Sequence, residues 1–386
     1  EPDKIPPGEQ NIYRLLHLQG DLVYYNPIHF FTKWKKQHRE NLVTLEQVTK
    51  NFNPDLIFVW GMWSMSKSLP ALAEQLLPGR VVYFLSDYWP SATDMHTAYW
   101  QLPSQRSLMR LPKQILKNIA MSMLAGAGEP TMKFEHAICV SARVRELLVN
   151  AGQPLQQARV IHGGTDVSRF ADIPRREFAA GQLKLLYAGQ IVAHKGVHTA
   201  IKAVARLVNQ HGINGVSLTV VGSGHPDYEA SLRRLAAEEN LNNHVTFYGP
   251  AAKEEMPALL RRFDVLVFPS VYEEPLARMT QEGMAAGLVV VGTTTGGTKE
   301  ILTDGENGLT FTAEDDDHLA RQLARLAADP DLCRRLSQAG RRSVFEYFNL
   351  DRMTDEIETY LQQVAARPAP NPAPAEQPAA ALGERR

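Results

Sequence analysis

The sequence predicts an α/β protein built from two successive parallel-sheet halves joined by a polar linker. From about residue 55, short apolar runs of strand length alternate with amphipathic helical runs, the pattern of a parallel sheet covered on both faces. The alternation stops over Thr165–Gln182, a polar stretch, and then begins again. The 386 residues are enough for two domains of that kind, each of ~100–200 residues.

In chain order, NIYRLLHL (Asn11 to Leu18) reads as a strand and the mixed segment to about Phe52 as helical. DLIFVWG, RVVYFLS and HAICVS read as buried strands, with SLPALAEQLL a helix after the first of them. ARVRELLVNAG is a helix closed by Gly152, and ARVIHGG a strand running into a turn. After the linker, LKLLYAG, VSLTVVG, HVTFYG, DVLVFPS and LVVVGT are strands. VHTAIKAVARLVNQ, PDYEASLRRLAAEE and EEMPALLRRF are helices between them, and RMTQEGMAAG is a helix ended by Gly287. The expected domains are 1–165 and 183–345 with the linker at 166–182. A terminal helix at 346–366 packs back toward the first domain, and a Pro/Ala-rich tail at 367–386 is disordered.

Composition excludes several classes. A formal net charge of −1 gives no overall attraction for nucleic acid. The two cysteines, Cys139 and Cys333, offer neither a disulfide framework nor zinc-site spacing. No apolar run reaches the ~18–20 residues of a membrane span, and EPDKIPPGEQ lacks the basic and apolar regions of a signal peptide. These features predict a cytoplasmic protein.

Ligands of open parallel sheets collect at the carboxyl ends of the strands, so the residues after each strand are the site candidates. They are Gly189, Gln190 and Lys195; Gly222 and Gly224; Pro250; and the stretch EEPLARMTQEGMAAG, which holds Glu274 and Glu282. Gly296, Gly297 and Glu300 follow the last strand. Glycine turns and helix N-termini suit a phosphate, and Lys195 would add a full charge. A carboxylate can accept from two vicinal hydroxyls, so Glu274 and Glu282 could hold two polyols on either side of that phosphate. Spacing alone leaves open that Glu274 only caps a helix, that Glu282 is an ordinary helical residue, and that Lys195 is a solvated lysine. His194 and His198 stand four apart without the Glu of a zinc-hydrolase helix. Tyr88, Trp89, Tyr99 and Trp100 suit either sugar stacking or a core. RSLMRLPKQILKN sets Arg106, Arg110, Lys113 and Lys117 beside leucines and isoleucine. That pattern fits a peripheral contact with the inner membrane face, or a solvated basic face interrupted by Pro112.

LLYAGQIVAHKGVHTAI, EEPLARMTQEGMAAGLVVVGTTTGGTKEIL and DGENGLTF, in that order, resemble the retaining GT-B glycosyltransferases of the family-4 type, the group 1 glycosyl transferases. The likeness is close from Leu183 to about Leu319 and looser over VVYFLSDYWP, ICVSARVRELL and VIHGGTDVSRF. It implies two Rossmann-like domains facing a central cleft, with the first lacking its N-terminal strand and Gly-rich loop. It also implies transfer of a sugar from a nucleotide-diphosphate sugar to the hydroxyl of a glycan or lipid-linked acceptor, with neither metal nor cofactor. By the same resemblance the catalytic positions are Glu274, Lys195, Ser86 and Asp87, with Lys195 on the diphosphate and Glu274 on the transferred sugar. Glu282 would hold the ribose, with the backbone of Leu276, Ala277 and Arg278 near the phosphates. Two positions depart from the family: Gln190 stands where a basic residue is common, and Ser86 stands where the family has His before Asp. The alternatives are a non-catalytic nucleotide-sugar binding protein or inactive fragment, and a nucleotide-sugar 2-epimerase.

Overall fold

The computed structural model describes residues 12–19, 25–103, 110–125, 130–172 and 177–367. Arg106 and the tail from 368 lie outside the described residues. The chain divides into two compact units, 1–83 with 92–137 and 360–386, and 84–91 with 138–359.

Asn26 accepts the N–H groups of Ile28 and His29 and so starts α1 (Pro27–Phe52), with Pro27 in the first turn where its missing N–H costs nothing. The expected strand at NIYRLLHL is absent: residues 12–18 carry no strand. The backbone N–H and C=O of His17 both bond to the Asn41 side chain on α1 at 2.7 Å, which ties the segment to a helix rather than to a ladder.

The first sheet has the order β1-β2-β3-β4. Its strands are β1 (Ile57–Trp60), β2 (Val81–Leu85), β3 (His136–Cys139) and β4 (Arg159–Val160). Its helices are α2 (Ser68–Leu76), α3 (Met95–Gln101), α4 (Arg110–Ala125) and α5 (Ala142–Asn150). Every residue of β2 and β3 is buried, as continuous apolar runs require. Pro112 falls in the first turn of α4 and therefore does not break it.

The second sheet contains β5 (Gln182–Ala188), β6 (Gly215–Val221), β7 (Val245–Gly249), β8 (Val265–Phe268), β9 (Val289–Gly292) and β10 (Leu309–Thr310). Between and after them run α6 (Val197–Ala205), α7 (Pro226–Glu238), α8 (Met256–Leu260), α9 (Arg278–Ala285), α10 (Asp316–Ala328), α11 (Pro330–Tyr347) and α12 (Leu350–Ala365). The six strands lie in the order β10-β9-β8-β5-β6-β7. All five pairings are parallel, and β5 sits between β6 and β8. Leu185, Leu218, Val265, Val289 and Leu309 meet α6 and α10 in one continuous core. The segment 166–182 lies in the second unit. Within it Phe170 is fully buried, and the Arg341 guanidinium donates to the carbonyls of Phe170 and Ala171.

The chain moves outward from β5 through β6 to β7, then returns to pair β8 on the other side of β5. The loops leaving β5 and β8 therefore turn in opposite directions, and such a reversal is where open α/β sheets hold ligands. Here the two loops are locked together. The Val271 N–H donates to the His194 carbonyl at 2.9 Å, and Gly196, at φ +71°, leaves no room for a Cβ, which would lie 2.0 Å from the Pro269 oxygen. Replacement of Gly196 by Ala is expected to cost more than ~1 kcal/mol, since both the backbone angle and the space are unsuited to a side chain. A lower urea midpoint for Gly196→Ala would show it, and an unchanged midpoint would refute the close approach.

Candidate functional site

Lys195 leaves the short 3-10 turn after β5, and Glu274 lies in the loop after β8. The strand reversal brings them into direct contact: the Lys195 ammonium donates to Glu274 Oε1. The same oxygen accepts the Ser270 hydroxyl at 2.9 Å. Both charged side chains are mostly buried, at 21% and 12% exposure, so the pair is only weakly screened by solvent. The Tyr272 ring lies 5.2 Å from the ammonium, with the His194 ring 5.4 Å from its centre. Burial first, and then the negative charges of Glu274 and Asp87, raise the Tyr272 phenol. Asp87 is therefore near enough for its charge to act on that phenol. Its carboxylate accepts the Trp89 N–H at 2.7 Å, and Ser86 precedes it directly after β2.

The loop that carries Glu274 is held by three successive carbonyls. Glu273 O accepts from the Tyr88 hydroxyl at 3.0 Å, Glu274 O from the Gly297 N–H at 2.7 Å, and Pro275 O from the Ser141 hydroxyl at 2.6 Å. The Glu273 carboxylate forms a two-pronged pair with Arg143, at 2.9 and 3.0 Å. With its carbonyls so engaged, the segment enters α9 at Ala277, where the helix has no side-chain cap. Leu276 and Ala277 are buried, and Arg278 is the exposed first residue of α9. An uncapped helix N-terminus of this kind suits an anion.

Glu282 lies one turn into α9 and is largely shielded from water. Burial raises its carboxyl, opposed by the positive charges of Arg278, Arg169 and Lys253. The Arg278 guanidinium is 3.9 Å away. Glu274 and Glu282 therefore differ: one is paired, while the other is desolvated among more distant cations.

The glycine turns contribute differently from the sequence expectation. The N–H of Gly189 donates to Val221 O, that of Gly222 to Gly249 O, and that of Gly224 to the Glu229 carboxylate. A Cβ on Gly222 would lie 1.8 Å from the Gly189 oxygen, so close passage of neighbouring loops alone accounts for glycine there. Gln190 is exposed and its carbonyl accepts the Tyr187 hydroxyl, while Pro250 is an exposed residue after the edge strand β7. His198 contacts Tyr228 rather than His194. Among the described residues no cluster of three or more His, Cys, Asp or Glu could hold a metal ion. Ser270, Tyr272, Arg143, Arg169 and Lys253 were not singled out from the sequence. Ser270 and Tyr272 directly follow β8, so a full reading of every strand end would have found them.

Glu300, at the end of the turn after β9, reaches back to the start of α5. It accepts the N–H groups of Ala142 and Arg143, each at 2.9 Å, and contacts His162 Nε2 at 2.8 Å. Burial alone would raise its carboxyl, but the His162 contact and the two amides outweigh burial and hold it below the usual range. Its stabilisation is therefore present above the ordinary carboxylate pKa and is lost as pH falls through the lower folded value. Glu300→Gln is expected to cost ~1–3 kcal/mol at neutral pH, shrinking toward zero in acid. Urea titrations at both pH values check this, and a loss independent of pH would contradict it.

Residues 168–343 match the family described as glycosyl transferases group 1. The chain is 30% identical over 233 residues to the lipopolysaccharide core biosynthesis glycosyltransferase LpsE of Rhizobium meliloti, covering 60% of this chain and 64% of LpsE. It is 26% identical over 257 residues to the GDP-mannose-dependent alpha-(1-6)-phosphatidylinositol monomannoside mannosyltransferase of Mycobacterium tuberculosis, covering 63% and 65%. The chain thus spans less than two thirds of the length of these relatives. Anabaena HepE in complex with UDP superposes with a TM-score of 0.60 at 20% identity, over 83% of this chain and 82% of HepE. At that identity the likeness shows the fold, which is GT-B, with two parallel α/β sheets as the sequence predicts. The segment from 168 to 343 that matches this family holds Lys195, Glu274 and Glu282.

Proposed function

We propose that the protein is a retaining glycosyltransferase that moves a sugar from a nucleotide-diphosphate sugar to a hydroxyl of a glycan or lipid-linked acceptor. The Lys195–Glu274 pair beside the uncapped start of α9, inside the segment matched by the family, carries this reading. In it Lys195 and the first amides of α9 take the diphosphate, Glu282 the ribose hydroxyls and Glu274 the hydroxyls of the transferred sugar. The bond from the anomeric carbon to the diphosphate oxygen breaks, with the electron pair leaving on the phosphate. The acceptor oxygen bonds to the same face, and its proton passes to the departing phosphate oxygen. Preorganised positive charge on that leaving group is the protein's main contribution, and no protein nucleophile or metal is needed. A donor carrying UDP or GDP is consistent with what HepE binds and with what the mannosyltransferase is named for. The phosphatidylinositol mannoside in the latter's name favours a lipid-linked acceptor, with peripheral membrane contact through Arg110, Lys113 and Lys117. Ser86, in place of the family's histidine, favours a second reading in which the chain binds a nucleotide sugar without turning it over.

Thermal shift across a panel of nucleotide sugars, followed by a product assay with the strongest binder, tests both readings. Lys195→Ala is expected to weaken donor binding at least ~10-fold, equivalent to ~1.4 kcal/mol; unchanged binding would remove Lys195 from the donor site. Transfer or hydrolysis with the wild-type chain selects the enzyme, and saturable binding without either selects the binding protein.

Glu282 separates binding from folding. With its folded pKa raised, its contribution to stability falls as pH rises from the ordinary carboxylate range through the raised value, and the burial cost is complete above it. At neutral pH Glu282→Gln is therefore expected to melt at the same temperature or higher than wild type while losing donor affinity. A lower melting temperature with intact affinity would reverse the assignment.

A further inference from the structure

Glu273 and Glu274 are neighbours in the chain, yet each carboxylate meets a different cation. Glu274 meets Lys195, a point charge, while Glu273 takes the planar fork of Arg143, with Nε on one oxygen at 2.9 Å and a terminal nitrogen on the other at 3.0 Å. A fork on two oxygens fixes the direction of its partner as well as its distance, which a point charge does not. The two glutamates share one tight turn, closed by the Glu274 N–H on the Tyr272 carbonyl at 2.8 Å, so neither can swing without the other. The turn is also pinned at Glu273 itself, whose carbonyl accepts the Tyr88 hydroxyl and whose carboxylate accepts the Gly296 N–H. Behind it a Cβ on Gly296 would lie 2.3 Å from the Glu274 backbone, so the turn has no space to fall back into. Arg143 is itself held. Glu300 takes its backbone N–H at 2.9 Å, and Glu146 lies 3.0 Å from its other terminal nitrogen.

A diphosphate meets these two cations on unequal terms. In the donor reading it draws Lys195 off Glu274, which keeps the Ser270 hydroxyl at 2.9 Å as a side-chain contact. Arg143 already faces two carboxylates and is mostly shielded, so it is not released to a phosphate. The fork on Glu273 is then what still sets the direction in which Glu274 points. We infer that Arg143 is a positioning residue for the transferred sugar: through Glu273 it fixes Glu274 once a diphosphate has drawn Lys195 away, and so governs affinity for the sugar but not for the nucleoside diphosphate. This role rests on the donor reading above and deepens it, since it divides the site into a part that holds phosphate and a part that holds sugar. It does not require transfer to an acceptor.

The test is calorimetric binding by the full chain of UDP-glucose and UDP-N-acetylglucosamine against UDP, and of GDP-mannose against GDP. For the nucleotide that wild type binds, Arg143→Gln is expected to weaken the nucleotide sugar about 10-fold, as a misdirected contact group does, and to leave the free diphosphate within about 2-fold. Glu273→Gln should give the same selective loss. The two changes together should cost no more than either alone, because both act through one pair. Arg143→Lys keeps the charge without the fork and should lose less sugar affinity than Arg143→Gln, with the same selectivity. The pair is partly exposed and so contributes little to stability, which lets thermal melts close to wild type verify the fold of each variant. Where Arg143→Gln melts lower, Arg143→Lys and Glu273→Gln decide. Equal weakening of sugar and diphosphate would make the pair a general brace of the loop and overturn the positioning role. Unchanged sugar affinity, or additive losses in the double variant, would overturn it as well. Wild type that binds no diphosphate and no nucleotide sugar overturns the donor reading and this role with it. Wild type that binds a diphosphate but none of the nucleotide sugars, or that binds a nucleotide sugar no better than Arg143→Gln, overturns this role alone.

Discussion

The segment Glu273–Pro275 is fixed by its own carbonyls, each accepting one hydrogen bond from a different part of the second unit: Tyr88 after β2, Gly297 after β9 and Ser141 after β3. A loop of this length held only at its ends would sample many conformations, and ordering each residue costs ~1–2 kcal/mol. Three anchors in succession, with Arg143 on the Glu273 carboxylate, offset that cost before any ligand arrives. Glu274 then projects from a rigid support toward Lys195, and α9 starts from a fixed point with its first amides uncapped. The arrangement depends on strand ends from both sheets, which explains how strongly the site depends on topology rather than on any local run of sequence.

The same carboxylate chemistry is used in opposite senses around this support. Glu300 is buried with three hydrogen-bonding partners and is held ionised, acting as a clasp between the turn after β9 and the start of α5. Glu282 is shielded from water with its nearest cation, the exposed Arg278, 3.9 Å away and no side-chain hydrogen-bonding partner at shorter range among the described residues, and its ionised form is disfavoured. A group kept in an unfavourable state without a structural return is a common mark of a binding position, whereas a satisfied one needs no ligand to account for it.

Much of this was legible in the sequence because strand runs and glycine-bounded helices mark where each strand ends, and parallel sheets place ligands there. That rule picks out Lys195, Glu274 and Glu282 as candidates. Their pairing was not legible, because it follows from β8 returning to the far side of β5, and sequence order does not state strand order. NIYRLLHL has a strand's composition, yet one asparagine side chain on α1 takes both backbone groups of His17. The glycines after β5 and β6 look like phosphate cradles, but neighbouring loops pass too close for any other residue at Gly222. Arg143 carried no signal at all, since nothing local predicts that a residue in the first turn of α5 will clamp a loop more than a hundred positions later.

The contact between Lys195 and Glu274 has a consequence for ions in the surrounding solution. A solitary lysine attracts a diffuse cloud of counter-anions, and a ligand that displaces that cloud binds with an affinity that falls steeply with added salt. Lys195 already has a carboxylate as its neighbour. Under the proposed donor reading, an anion arriving there would exchange partners with Glu274 instead of expelling a cloud, and Glu274 in turn would become available to hydroxyl donors. Recognition at this point would then be a swap between fixed groups, whose strength would follow geometry more than ionic strength.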